Sequence, residues 1–124
     1  MVKRTFIFLF LLLVALQIFA DASRKVIVLD SKGGPRSDLP LYFDMPTAYY
    51  EYSPKEQLII IDGGGAVSYY DVEISSPVTN NVEISTTVDG TYDTFDISSL
   101  SAGSHVITIE SPSGNTYEGT FTTY

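Results

Sequence analysis

Residues 96–110, D-I-S-S-L-S-A-G-S-H-V-I-T-I-E, constrain the fold more than any other stretch of the chain. They read as the end of one strand, a tight crossing turn and a second strand. Leu100 is the one large apolar residue among Ser, Ala and Gly, which places it to plug the end of a core. Gly103 supplies the positive φ or the close approach that a side chain forbids. After it, His105, Ile107 and Ile109 alternate with Val106, Thr108 and Glu110, the period-2 pattern of a strand with one dry face. Such a face needs a second layer of strands to cover it.

The upstream chain supplies those strands. Residues 25–29 read as the first, and residues 30–40, with Gly33-Gly34-Pro35 and Leu39-Pro40, as a loop or irregular edge. Residues 48–52 and 57–61 are two strands joined at Ser53-Pro54-Lys55-Glu56. The run Leu58-Ile59-Ile60-Ile61 is apolar on both faces, which predicts a central strand. Asp62-Gly63-Gly64-Gly65 is a turn. Residues 68–74 then put Tyr70, Val72 and Ile74 on one side and Tyr69, Asp71 and Glu73 on the other, until Ser76-Pro77 stops the strand.

Two hairpins can be tested by register. Asp89-Gly90 is a two-residue turn signal between residues 82–88 and 91–97. It predicts Val88 opposite Thr91, Ile84 opposite Phe95 and Val82 opposite Ile97. The same register sets Glu83 opposite Asp96, a like-charge pair that is read here as solvent-screened, with a bulge or a bound cation as the alternatives. For the last hairpin, an odd connection or a bulge at Gly114 is required to bring His105, Ile107 and Ile109 level with Phe121, Gly119 and Tyr117. About seven short strands with turn signals roughly every ten residues predict an immunoglobulin-like two-sheet antiparallel β-sandwich.

Residues 1–22 read as a signal peptide. Lys3 and Arg4 precede an apolar run, and Ala20-Asp21-Ala22 fits a signal-peptidase site. The run is shorter than the roughly 20 apolar residues of a membrane anchor, so residues 23–124 are expected to form one domain with no transmembrane segment. There is no Cys in the chain, which points to a periplasmic or cell-surface location rather than to a disulfide-bonded secreted module. The formal net charge is −8, and losing Lys3, Arg4 and Asp21 with the leader makes it one unit more negative. Such a surface repels phosphate backbones and anionic membranes, which argues against nucleic acid as a partner.

An export leader, the K-V-I-V-L strand, Arg36-Ser37, the strand at 58–61, Asp71-Val72-Glu73-Ile74, the I-S-S-L-S-A-G turn at 97–103 and a closing Gly119-Thr120-Phe121 together resemble domain-of-unknown-function family 3244. These are small exported bacterial proteins of immunoglobulin-like fold. The resemblance spans nearly all of residues 23–124 and implies that fold. It implies no assigned activity, substrate or catalytic residue. Where the wider L-x-x-G-x-aromatic pattern carries Tyr, this chain has His105.

His105 is the only histidine, and its simplest role is a hydrogen-bonding strut at the sandwich end. No Cys, second His or G-x-S-x-G elbow offers it a catalytic partner, so no enzyme activity is expected. Asp89, Asp93 and Asp96 are strand-spaced, and no EF-hand or HExxH motif is present. Cofactors and metals are therefore expected to be none, the alternative being a calcium site at Glu83, Asp93 and Asp96. The turn at 62–65 lacks the Lys-Ser/Thr and helix of a phosphate loop.

Of nine tyrosines, Tyr42, Tyr49, Tyr50, Tyr52, Tyr69 and Tyr70 crowd into the first half. In a strand, one ring of each adjacent pair faces outward, and exposed Tyr combines rigid area with a polar tip. Tyr49, Tyr50 and Tyr69 are the candidate contact residues. The expected role is a non-enzymatic module that binds an envelope or extracellular protein. A glycan held on tyrosines and structural assembly by donation of the first strand are the alternatives.

Overall fold

The structure, a computed structural model, describes residues 23–33 and 43–124. The leader, Arg36-Ser37, Leu39-Pro40 and Tyr42 lie outside the described residues. Among those described, nine strands are formed: β1 (Ser23–Ile27), β2 (Asp30–Gly33), β3 (Thr47–Tyr52), β4 (Gln57–Asp62), β5 (Tyr69–Ser75), β6 (Val82–Asp89), β7 (Tyr92–Asp96), β8 (Gly103–Glu110) and β9 (Thr116–Thr123). They build a four-stranded sheet in the order β1-β3-β4-β7 and a five-stranded sheet in the order β2-β9-β8-β5-β6. All of the pairings are antiparallel. The predicted sandwich is thus formed, with β4 as an inner strand of its sheet.

The core is the alternate residues of both sheets meeting between them. Tyr50, Ile59 and Ile61 from one sheet face Tyr70, Val72, Ile74, Ile107, Ile109 and Tyr117 from the other, all buried. Each such side chain contributes about 1.5–3 kcal/mol through apolar burial. Leu100, as expected, packs partly buried against this core, and Gly103 has φ +131°, so its role is conformational. The closing hairpin has the expected register, with Ile109 opposite Tyr117, Ile107 opposite Gly119 and His105 opposite Phe121. Gly114, at φ +90°, turns the connection, and Ser111 N donates to Asn115 O at 2.9 Å.

The first strand, expected over 25–29, starts at Ser23 and ends at Ile27, after which the chain changes sheets. β1 pairs with β3, the chain breaks at Val28-Leu29, and β2 pairs with β9. Residues 30–40 were expected as a loop or irregular edge, and Asp30–Gly33 is such an edge, pairing with β9 through a shifted register. D-S-K-G has no apolar alternation, and an edge strand held by main-chain bonds to one neighbour needs none. Gly119 makes the crossing fit: a Cβ there would lie 2.6 Å from Val28 O and 2.9 Å from Ile27 Cγ2.

The expected hairpin at Asp89-Gly90 does not form. β6 pairs with β5, β7 pairs with β4, and the segment between them crosses from one sheet to the other. A type I′ turn needs positive φ at both central residues, and Gly90 is not among the positive-φ glycines. Its lack of a side chain serves close approach instead, because a Cβ would collide with Val67 O. Gly90 N donates to Ser68 O at 3.0 Å, while Gly63 N and Gly64 N donate to Thr91 O and Gly65 N to Gly90 O. The glycine turn at 62–65, correctly expected as a turn, therefore interlocks with the crossing. Val88, Ile84 and Val82 consequently pair with Tyr70, Ile74 and Ser75 rather than with Thr91, Phe95 and Ile97.

Candidate functional site

β6 has one register shift, opposite Ile74 and Ser75: Ile84 pairs with Ile74 and Val82 with Ser75, leaving Glu83 as the extra residue. A bulge re-aims the side chain it carries. Glu83 Oε1 thereby comes to 2.7 Å from Nδ1 of His105, which is itself 3% exposed. On the ring's other side Nε2 donates to Ser101 O at 2.8 Å. Thr123 Oγ1 donates to the same carbonyl at 3.0 Å, and the Phe121 ring lies 5.6 Å away. Both nitrogens of His105 are occupied within the fold, the arrangement of a strut that ties β6, β8 and the crossing turn together.

The strand-spaced carboxylates cap main-chain donors. Asp89 Oδ1 accepts from Thr91 N at 2.7 Å, Asp93 Oδ2 from Asp89 N at 3.0 Å, and Asp96 Oδ1 from Ser98 N at 2.7 Å. The Asp89 and Asp96 carboxyls sit below the ordinary aspartate value, Asp89 through the Thr91 amide first and Asp96 through the Ser98 hydroxyl first and then its amide. Glu83 lies in the five-stranded sheet, Asp93 and Asp96 in the other, and the anticipated Glu83–Asp96 pairing is absent with the hairpin. Among the described residues, no three His, Asp or Glu side chains gather as a metal-holding group.

A buried carboxylate, Asp44, was not visible in the sequence. It is fully buried, held by the β8–β9 connection and by Tyr70 and Tyr117 of the five-stranded sheet. Its carboxylate accepts from the Tyr117 hydroxyl, from Ser113 Oγ at 2.8 Å and from Asn115 Nδ2 at 3.3 Å. Its carbonyl accepts from the Tyr70 hydroxyl at 2.7 Å. Burial works to raise its pKa, but hydrogen bonds from Ser111, Tyr117, Ser113 and Asn115 outweigh it, so the carboxyl sits below its ordinary value. All of these donors belong to the fold, and the cluster pins the 43–46 segment across the sandwich end.

The tyrosines obey the expected parity but not as one surface. Tyr50 was expected among the contact residues. It instead points inward at 2% exposure, because its register partner Ile59 faces the core, and its hydroxyl donates to Gln57 Oε1. Tyr49 faces outward on the four-stranded sheet, and Tyr69, 41% exposed, outward on the five-stranded sheet. The two lie on opposite sides of the molecule.

The outer faces of the two sheets differ in chemistry. Across the four-stranded sheet, the register sets Arg24, Glu51, Leu58 and Asp96 in one row and Val26, Tyr49, Ile60 and Thr94 in the next. The Arg24 guanidinium lies over the Tyr49 ring, 5.5 Å from its centroid, and 3.5 Å from Glu51 Oε1. Val26 and Tyr92 are more than half exposed. The five-stranded face is acidic and hydroxylated. Its shallow recess of about 390 Å³ is lined by Asp71, Glu73, Ser85, Thr86, Thr87, Thr108 and Glu110. The sequence held both compositions, but the strand order that sorts them onto separate faces depends on the two sheet crossings.

These features define an all-β, immunoglobulin-like two-sheet sandwich. Among solved structures, the chain is similar to a DUF3244 family protein with an immunoglobulin-like β-sandwich fold from Bacteroides vulgatus. The TM-score is 0.60 and the sequence identity 15%, over 82% of this chain and 100% of that one. The likeness is one of fold, and it agrees with the resemblance read from the sequence motifs. No family model matches the sequence, and no curated protein matches it. No helix among the described residues is long and apolar enough to cross a membrane.

Proposed function

We propose that the chain is an exported, non-enzymatic interaction module of the periplasm or cell surface that binds a protein partner through the outer face of its four-stranded sheet. The observation that carries this reading is the Arg24–Tyr49 stack beside Val26, Leu58 and Tyr92, with Glu51, Asp62 and Asp96 around it. Tyr and Arg beside exposed apolar side chains, with carboxylates among them, is the composition of a protein–protein contact surface. Export is supported by the leader-like residues 1–22 and by the absence of Cys. The non-enzymatic reading is supported by His105, whose two ring nitrogens are already bonded within the fold. A photo-crosslinking residue placed at Tyr49, with a matched control at Thr108 on the other sheet, tests it in envelope preparations. A partner captured from position 49 alone is expected. Equal capture from both positions, or none from either, contradicts the reading.

A second reading, glycan binding, is favoured by one place. A recess of about 240 Å³ is lined by Tyr52, Tyr124, Lys55, Glu56, Gln57 and Ser98, and the two tyrosine rings meet at 4.8 Å between centroids. It offers aromatic faces beside polar groups. Loss of glycan-array signal on Tyr52→Ala would support this reading, and an array without signal removes it.

A further inference from the structure

We infer that the free edge of β6 is a self-complementary docking strand that pairs two copies of this chain antiparallel about Thr86. Among the described residues, four strands are sheet edges: β1, β7, β2 and β6. Native edges are blunted by shortness, by charge, especially Lys, by Pro and by bulges. β1 is five residues long and carries Arg24 and Lys25. β2 is four residues, irregular in register and carries Lys32. β7 is five residues with Asp93 and Asp96. β6 is eight residues with no Lys, Arg or Pro; its two carboxylates, Glu83 and Asp89, and its bulge lie outside residues 84–88, and among the described residues no strand pairs with its second side.

The direction of its main-chain groups follows from two hydrogen bonds. Gly90 N donates to Ser68 O at 3.0 Å, on the β5 side, and the neighbouring Asp89 N, pointing the other way, donates to Asp93 Oδ2. Main-chain groups of alternate residues in an antiparallel strand point the same way. The N–H and C=O of Thr87 and Ser85 therefore point away from β5, and those of Val88, Thr86 and Ile84 toward it. The run Ile84-Ser85-Thr86-Thr87-Val88 is chemically close to a palindrome. A two-fold axis at Thr86 sets Thr86 opposite Thr86 of the second copy, Ser85 opposite Thr87, and Ile84 opposite Val88.

Face parity is kept in this register. The aliphatic pairs lie on the inward faces of both copies, and Ser85 and Thr87 exchange main-chain bonds as a hydrogen-bonded pair on each side of the axis. Aliphatic and Thr–Thr cross-strand pairs are favourable ones. The next pair outward would be Glu83 with Asp89, but the bulge has turned Glu83 onto His105 and Asp93 has capped the Asp89 amide. The open edge is thus limited to five residues, and a two-fold contact that consumes it closes as a dimer rather than a filament. The occupant is a second copy because the edge matches its own sequence in this register, and the surface is separate from the Tyr49 face.

Sedimentation of the purified protein over a concentration series, alone and with two sets of variants, tests this. Thr87→Pro removes an N–H that points away from β5, so it should leave the circular dichroism spectrum unchanged. It should raise the dimer dissociation constant about thirtyfold, two outward hydrogen bonds being lost per dimer. Because the natural chain has no Cys, a single introduced thiol reports register. In Thr86→Cys the two Cα atoms would face each other at a non-hydrogen-bonded site, about 4.5 Å apart and within disulfide range. Mild oxidation should give a covalent dimer with Thr86→Cys and far less with Ser85→Cys. A protein that stays monomeric to about 1 mM overturns the inference. So does a dimer indifferent to Thr87→Pro, or equal cross-linking by the two cysteine variants.

Discussion

His105 Nδ1 and Glu83 Oε1 lie 2.7 Å apart although β5 runs between their strands. The contact exists because the bulge in β6 frees Glu83 from the outward row that regular alternation would assign it. Glu83→Ala leaves the buried imidazole with a ring nitrogen facing no partner, and is expected to destabilise the fold by about 1–3 kcal/mol. Urea unfolding measures it. A double variant with His105→Ala should cost less than the sum of the single ones, because the two residues share one interaction.

Asp44 is predicted to matter more. Asp44→Ala strips the acceptor from the Tyr117, Ser113 and Asn115 side chains, and the expected loss is about 3 kcal/mol or more. Its carboxyl pKa is lower in the folded state than the ordinary 3.8. The stability this provides is fully present above that value and is lost as pH falls below it, toward the folded pKa. Unfolding free energy measured below pH 3.8 should therefore decline in the wild type and decline less steeply in Asp44→Asn.

The same cluster limits stability in alkali. Burial, and then the Asp44 charge, push the Tyr70 hydroxyl up to about 12 from 10.0, and burial and the bond to Asp44 raise Tyr117 as well. A raised folded pKa means that the stabilisation is complete below 10.0 and is lost as pH rises through the folded value. Unfolding monitored by tyrosinate absorbance should show stability falling above pH 10.0, with a shallower slope in Tyr70→Phe.

Gly119→Ala is expected to loosen the first strand. The added methyl would sit 2.6 Å from Val28 O and 3.0 Å from Leu29 Cδ2, where the chain passes from one sheet to the other. Overpacking of this kind costs about 1–3 kcal/mol. Hydrogen exchange should accelerate in β1 and β2 before it does in β4 or β8.

Local pattern made much of this legible. The β8–β9 register follows from period-2 parity alone, because only an odd connection aligns Ile109 with Tyr117. Tyr70 was assigned the correct side of its strand by the same parity, whereas for Tyr49-Tyr50 parity required one outward ring without saying which. What parity cannot supply is which strands share a sheet. Asp89-Gly90 carried a hairpin signal, but Gly90 is required by a close approach to Val67, a contact made by a distant loop. The error set Glu83 opposite Asp96, whereas the fold puts them in different sheets and brings Glu83 to His105. Asp44 was hidden because its side-chain donors lie 69–73 residues away and nothing in Phe43-Asp44-Met45-Pro46 announces a buried carboxylate. For residues 30–33 the sequence left loop and irregular edge open, because an edge strand needs no apolar alternation, and its pairing with β9 is set by the chain's crossing between sheets.

The most direct measurement of the proposed binding face is a quantitative capture of envelope proteins on three immobilised forms: wild type, Tyr49→Ser with Leu58→Lys, and Asp71→Lys with Thr108→Lys on the opposite sheet. All four positions face outward, so each form should keep the wild-type circular dichroism. Binding through the four-stranded face predicts that one protein is enriched by the wild type and by the Asp71/Thr108 form and is lost from the Tyr49/Leu58 form. A protein retained by the Tyr49/Leu58 form, or no protein enriched over a blank matrix by any of the three, would contradict it.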